Sequence, residues 1–192
     1  MTASALRAYL ATSLDGFIAG PQDELDWLEG ARPARSPLAS GKWQERAVDG
    51  LGYDDFIATI GCLLMGRRTY DVTATFPSGW PHRDLPVVVA TTRDLGDAPA
   101  TVTTASGAIE DLVGAARARA GGKDVYIDGG QLVRQALVAG VLDTLVVTVV
   151  PTILGAGIPL FAPPMPRIPL TVESVRKYGG GFVQTVFRCG TA

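Results

Sequence analysis

Three short stretches carry residue types able to grip an anion, and each follows an apolar run. "LMGRRTYD" at 64–71 sets Gly66, Arg67, Arg68 and Thr69 directly behind the run 62–65. "ATTRD" at 90–94 offers Thr91, Thr92 and Arg93 behind "LPVVV", and "VYIDGG" at 125–130 passes through Gly129 and Gly130 into the helix-like "QLVRQALVA". A guanidinium fork gives phosphate two parallel charge-assisted hydrogen bonds. A helix N-terminus exposes unpaired N–H groups, and glycine there lets an anion approach the backbone. Each stretch also has an ordinary reading. Two glycines make a tight turn, and arginines or threonines behind a strand are common solvated loop residues. Three phosphate-compatible ends in one chain exceed what turn chemistry requires. None is the G-x-G-x-x-G dinucleotide fingerprint: "GAGIPL" at 155–160 lacks a third glycine and runs into Pro159 instead of a helix.

Other chemistries are poorly supplied. His82 is the single histidine, and Cys62 and Cys189 stand far apart with no C-x-x-C spacing. No metal site, disulfide framework or histidine-based triad is expected from these residues. A formal charge of −2 with no lysine or arginine cluster gives no footprint for nucleic acid or an anionic membrane. The uncharged run 144–166 is long enough to cross a bilayer, but Pro151, Gly155, Gly157, Pro159, Pro163 and Pro164 break it as a helix. The N-terminus lacks a secretory pattern. These features predict a cytoplasmic protein whose partners are a small molecule and, through 144–166 and the C-terminal strands, a second copy of itself.

The elements that position these residues follow from the pattern of apolar residues. Apolar, β-branched runs at Leu6–Thr12, 62–65, 86–91, 125–128 and 142–150 read as strands, with a last pair at 170–175 and 182–188. Helical spacing falls at 53–60, 108–120 and 131–139, the last stopped by Gly140. Strands alternating with helices predict an α/β domain with a mostly parallel sheet and helices on both faces. "LPVVVATT" and "TLVVTVVP" are apolar on successive residues and should be central. "GFVQTVFR" alternates behind "YGGG" and should close an antiparallel hairpin at an edge. At 192 residues with 47% hydrophobic content, one domain spanning 1–192 is expected.

The order of motifs resembles the dihydrofolate reductase-like superfamily. Within it, the chain is similar to the bacterial reductase family related to the C-terminal domain of the bifunctional riboflavin biosynthesis deaminase/reductase. The resemblance rests on "SLDGFIAG" (13–20), "LDWL" (25–28), "LMGRRTYD", "VYIDGG" and "PTILGAGIPLF" (151–161). It implies a three-layer fold with NADPH across the carboxyl edge of the sheet. On these matches Gly66, Arg67 and Thr69 meet the adenosine-side phosphates, with Arg67 on the 2′-phosphate that separates NADPH from NADH. Thr91 and Thr92 stand beside the same phosphate, and Gly129, Gly130 and Gln131 take the pyrophosphate. Ala11, Ile18 and Gly20 hold the nicotinamide, while Gly155 and Gly157 match a glycine-rich loop near the ligand.

Hydride transfer to a C=N or C=O bond is helped by a group that supplies a proton or orients the substrate. The resemblance points to an acid before the Met-Gly-Arg strand, where Asp55 is the choice beside Asp54. A carboxylate at a helix start favoured by the dipole explains Asp55 equally well. Asp15 and Trp27 are candidates to border the substrate, against a turn and a core anchor respectively. Arg83 lies roughly where a folate reductase clamps a carboxylate, and the extra segment 29–52 would remodel the pocket rim. No deaminase zinc signature accompanies the reductase-like motifs. The expected function is an NADPH-dependent reductase of a small pterin-like or pyrimidine-like heteroaromatic. The alternatives are a standalone 5-amino-6-(5-phosphoribosylamino)uracil reductase of riboflavin biosynthesis and a non-catalytic NADP-binding protein.

Overall fold

A computed structural model describes residues 4–30, 52–82 and 84–190. Arg83 and most of the segment 29–52 therefore lie outside the described residues. In chain order the strands are β1 (Leu6–Thr12), β2 (Phe17–Ala19), β3 (Ile60–Gly66), β4 (Val87–Ala90), β5 (Val102–Ala105), β6 (Asp124–Asp128), β7 (Thr144–Val149), β8 (Ile158–Pro159), β9 (Leu170–Lys177) and β10 (Val183–Cys189). The helices are α1 (Trp27–Gly30), α2 (Tyr53–Ala58), α3 (Arg67–Ala74), α4 (Ile109–Arg119) and α5 (Gly130–Val138).

Eight strands form one sheet in the order β5-β4-β3-β6-β1-β7-β10-β9, and β2 pairs with β8 apart from it. From β5 to β7 every pairing is parallel; β10 then runs antiparallel to both β7 and β9. Parallel neighbours need long crossovers, which α3, α4 and α5 supply. The alternating burial of β1 sets Leu6, Ala8 and Leu10 toward a core with Leu112 and Ala116 of α4 and Val133 and Ala136 of α5. On the opposite face Phe56 of α2 and Tyr70 of α3 close over Leu63, Met65, Val87, Val89 and Tyr126. Phe56 is completely buried, worth about 1.5–3 kcal/mol of apolar transfer.

The structure bears out the mostly parallel three-layer fold with its C-terminal antiparallel hairpin. Its details depart from the sequence reading in three places. The apolar run of β4 lies one strand from the edge, because the short β5 covers its flank; two-sided burial under helices, not centrality, makes Val87, Val88 and Val89 apolar. β5 is absent from the apolar pattern, since "VTTA" has too few apolar residues to stand out. The third is α3, which begins immediately at Arg67, so Gly66 ends the strand and caps the helix at once.

Candidate functional site

The carboxyl ends of β1, β3, β4, β5 and β6 meet along one cavity of about 930 Å³, near the upper end of the range for small-molecule sites. α3 and α5 both start at its wall, and no side chain caps either of them. Their first N–H groups are therefore left for something else to satisfy. The turn from β6 into α5 demands glycine: Gly129 has φ +97°, and a Cβ there would come within 2.6 Å of Thr69 Oγ1. The backbone thus passes against α3 with no room for a side chain, leaving a cradle of bare peptide between two helix starts.

Most of the residues singled out in the sequence come together here. Ala11, Ile18, Gly66, Arg67, Thr69, Thr91, Thr92, Gly129, Gly130 and Gln131 all line the cavity. Arg67 is tethered: its Nε donates to Asp71 at 2.7 Å and its Nη1 to the Asp94 carbonyl at 2.9 Å. Arg93 also lines the cavity and forms no ion pair among the described residues. Its backbone N–H donates to Thr91 Oγ1, so the threonine fixes the turn that carries the guanidinium. Arg68 is neutralised across the cavity by both carboxylate oxygens of Asp23, at 2.8 and 3.0 Å from Nε.

Six of the sequence candidates sit off the cavity lining. Asp55 is exposed in the first turn of α2, where the helix dipole favours a carboxylate. Trp27 is buried against Val150 and Phe182, with Nε1 donating to the Glu24 carbonyl at 3.1 Å. Asp15 accepts Ser13 Oγ at 2.7 Å and the N–H groups of Leu154 and Gly155 at 3.1 and 2.7 Å. Those bonds, the Ser13 hydroxyl foremost, hold its carboxylate down at about 2. Gly155 serves that bracing, Gly20 lies against the Glu24 side chain, and Gly157 passes so close to the Ala19 carbonyl that a Cβ would sit 2.3 Å from it.

The cavity also holds residues not chosen from the sequence. Asp128, at the last position of β6, lines it and, among the described residues, accepts a single hydrogen bond, from the Gly129 N–H to Oδ1 at 2.8 Å. Burial pushes its carboxyl up to about 6, outweighing that single bond. The signal was present in "VYIDGG": an acid ending a parallel strand, immediately before the glycines, must lie at the carboxyl edge. Around it stand Tyr9, Tyr53 and Tyr126. The Tyr9 ring packs at 5.0 Å from Phe56 and 5.6 Å from Tyr53, and Tyr126 donates its hydroxyl to the Tyr9 carbonyl at 2.9 Å. The cavity thus combines bare peptide and cations with an aromatic wall, and Asp128 stands where the two meet, its carboxyl on the Gly129 N–H. The described residues contain no cluster of three or more His, Cys, Asp or Glu able to hold a metal ion. No helix among them is long and apolar enough to cross a membrane.

Known proteins resemble this chain over nearly its whole length. YwjB, an uncharacterised protein of Bacillus subtilis strain 168, is 26% identical over 172 residues, covering 89% of this chain and 90% of its own. A solved structure of a Shewanella sp. PV-4 protein named for riboflavin biosynthesis superposes with a TM-score of 0.80 at 27% identity, over 97% of this chain and 99% of that one. A pyrimidine reductase-like protein of Corynebacterium diphtheriae gives 0.64 at 17% identity, over 98% and 93%, a likeness of fold. The model of the RibD C-terminal domain matches residues 5–184, and the chain belongs to that family.

Proposed function

We propose that this protein is a cytoplasmic NADPH-dependent reductase that transfers a hydride to a small heteroaromatic substrate, pterin-like or pyrimidine-like. The observation that carries this reading is one cavity that joins bare peptide and cations to an aromatic wall, with the half-buried Asp128 carboxyl between them. A dinucleotide phosphate fits the peptide-and-cation part by its donor chemistry. Gly66, Thr69, Thr91, Thr92, Gly129, Gly130 and Gln131 would hold the phosphates, with Arg67 and Arg93 at the 2′-phosphate and Ala11 and Ile18 at the nicotinamide. When bound, NADPH supplies the hydride. The chain's own residues do the rest. Asp128 Oδ1 is engaged by the Gly129 N–H, so Oδ2 is the atom that carries the proton to be given to the reduced ring. Tyr9, Tyr53 and Tyr126 form the walls that hold that ring flat and keep water away.

The family and the Shewanella relative's name favour a second reading, reduction of the phosphoribosylaminopyrimidine of riboflavin synthesis. That substrate needs a cation beyond Arg67: Arg68 is already paired with Asp23, and Arg93 would then serve the ribose phosphate instead of the 2′-phosphate. The test is NADPH oxidation against dihydropterins and aminopyrimidines, each with and without a ribose phosphate. Turnover of any of them supports the reductase, and the ribose phosphate requirement decides between the readings. Tight NADPH binding with no turnover across the panel would favour a non-catalytic binding protein. We further propose a homodimer through the hairpin, where the register puts exposed Leu170, Val172, Val175 and Val183 on one face. A monomeric mass in light scattering would exclude it.

A further inference from the structure

The C-terminal hairpin reaches the cavity through one buried amide. Gln184 of β10 is 2% exposed, and its carboxamide has a partner at both ends. Tyr178, just beyond the end of β9, donates its hydroxyl to Gln184 Oε1 at 2.9 Å. Gln184 Nε2 in turn donates to the Tyr9 hydroxyl oxygen at 2.9 Å and to Thr148 Oγ1 at 3.2 Å. Anchoring Oε1 on Tyr178 fixes which end of the amide faces Tyr9. The register explains the reach: Gln184 lies opposite Thr148 on β7, and Thr148 opposite Ala11 on β1, so all three side chains share a face with Tyr9.

A buried amide is a costly way to fill this slot, since Leu would pack there with no polar group to satisfy. What the amide adds is a fixed place for the phenol end of Tyr9. The rest of that residue is already held by other elements, its ring by Phe56 and Tyr53 near α2 and its carbonyl by Tyr126 of β6. We infer that Gln184, braced by Tyr178, is a positioning residue that acts through Tyr9 to seat the substrate ring, so that the hairpin contributes to substrate affinity without touching substrate. This rests on the reductase reading above, with Tyr9 as a wall of the substrate end.

The test is a double-mutant cycle on the NADPH-loaded protein, with 2,4-diamino-6,7-dimethylpteridine as the titrated probe. Gln184→Leu and Tyr9→Phe should each weaken the probe by about tenfold or more, and the double variant should be no weaker than Tyr9→Phe alone, the non-additivity expected of residues acting as a unit. Tyr178→Phe should give a smaller loss in the same direction. NADPH affinity should stay within about twofold throughout, which a general loosening of the fold would not allow. Wild-type probe affinity in Gln184→Leu, additive losses, or an equal loss of NADPH would overturn the inference. So would a wild-type protein that binds NADPH but not the pteridine. A wild-type protein that binds no NADPH would instead remove the reductase reading itself.

Discussion

Two aspartates in this molecule each neighbour glycine turns, and they end in opposite chemical states. Asp15 sits in "LDG" and accepts three hydrogen bonds, from Ser13, Leu154 and Gly155, which keep it ionised down to about 2. Asp128 sits in "IDGG" and among the described residues accepts one, from Gly129, in a half-buried position where burial raises it to about 6. The difference lies in burial first and in the donors around them second, and not in the residue type. A saturated carboxylate is a clamp, here joining the loop after β1 to the loop after β7. An undersaturated, desolvated one can hold a proton near neutral pH, which is what an acid in a reductase requires.

The largest effect should come from removing the second aspartate. Asp128→Asn should cut turnover of whichever panel substrate is found by about 10²- to 10⁴-fold while leaving NADPH affinity nearly unchanged. Wild-type kcat should fall as pH rises through about 6, where Asp128 loses its proton, and that limb should vanish in the variant. Turnover of Asp128→Asn at the wild-type rate would place the acid elsewhere.

Gly129→Ala tests the turn behind that carboxyl. Its φ of +97° and its closeness to Thr69 Oγ1 predict a loss of roughly 1–3 kcal/mol in thermal or denaturant unfolding, together with weakened NADPH binding. An unperturbed variant would mean that the backbone can turn another way. A somewhat smaller effect follows from linkage. Asp128 rises from 3.8 to about 6 on folding, so the protonated form favours the folded state. That contribution is complete below about pH 4 and is lost as pH rises through 6. Asp128→Asn should therefore be more stable than wild type at pH 7, by roughly 1–2 kcal/mol once partial solvent screening is allowed for. Equal denaturation midpoints at pH 7 would contradict the desolvation of Asp128.

Asp15→Asn should do least. Its carboxylate bonds hold above about pH 4 and are lost as pH falls through 2, so near neutrality the wild type keeps them all. Faster amide exchange at Leu154 and Gly155 is expected in the variant, with NADPH affinity within about threefold of wild type. A large loss of turnover would move Asp15 from clamp to catalysis.

Much of this is legible in the sequence alone. Apolar runs and their turn residues locate every parallel strand except β5, and "GRRT" and "DGG" mark the edge where the cavity lies, because backbone periodicity and glycine geometry are local properties. What a side chain does is not local. Asp15, Asp55 and Asp128 look alike in one dimension, and only the N–H groups of Leu154 and Gly155, 139 and 140 positions away, make Asp15 a brace between loops. Trp27 likewise reads as either a pocket wall or a core anchor until Val150 and Phe182 are seen around it. Tyr9 was hidden for the same reason, as a residue of an alternating strand whose cavity face is set by β7 and β10.

The most direct test of the whole account is a calorimetric titration with NADPH and, separately, NADH, repeated with Arg67→Ala and Arg93→Ala. The account predicts tight NADPH binding, NADH weaker by tenfold or more, and a loss of that preference in the arginine variants, with Arg93→Ala the more affected because Arg67 is shared with Asp71 and Asp94. Binding of neither nucleotide, or equal affinity for both in wild type, would contradict it.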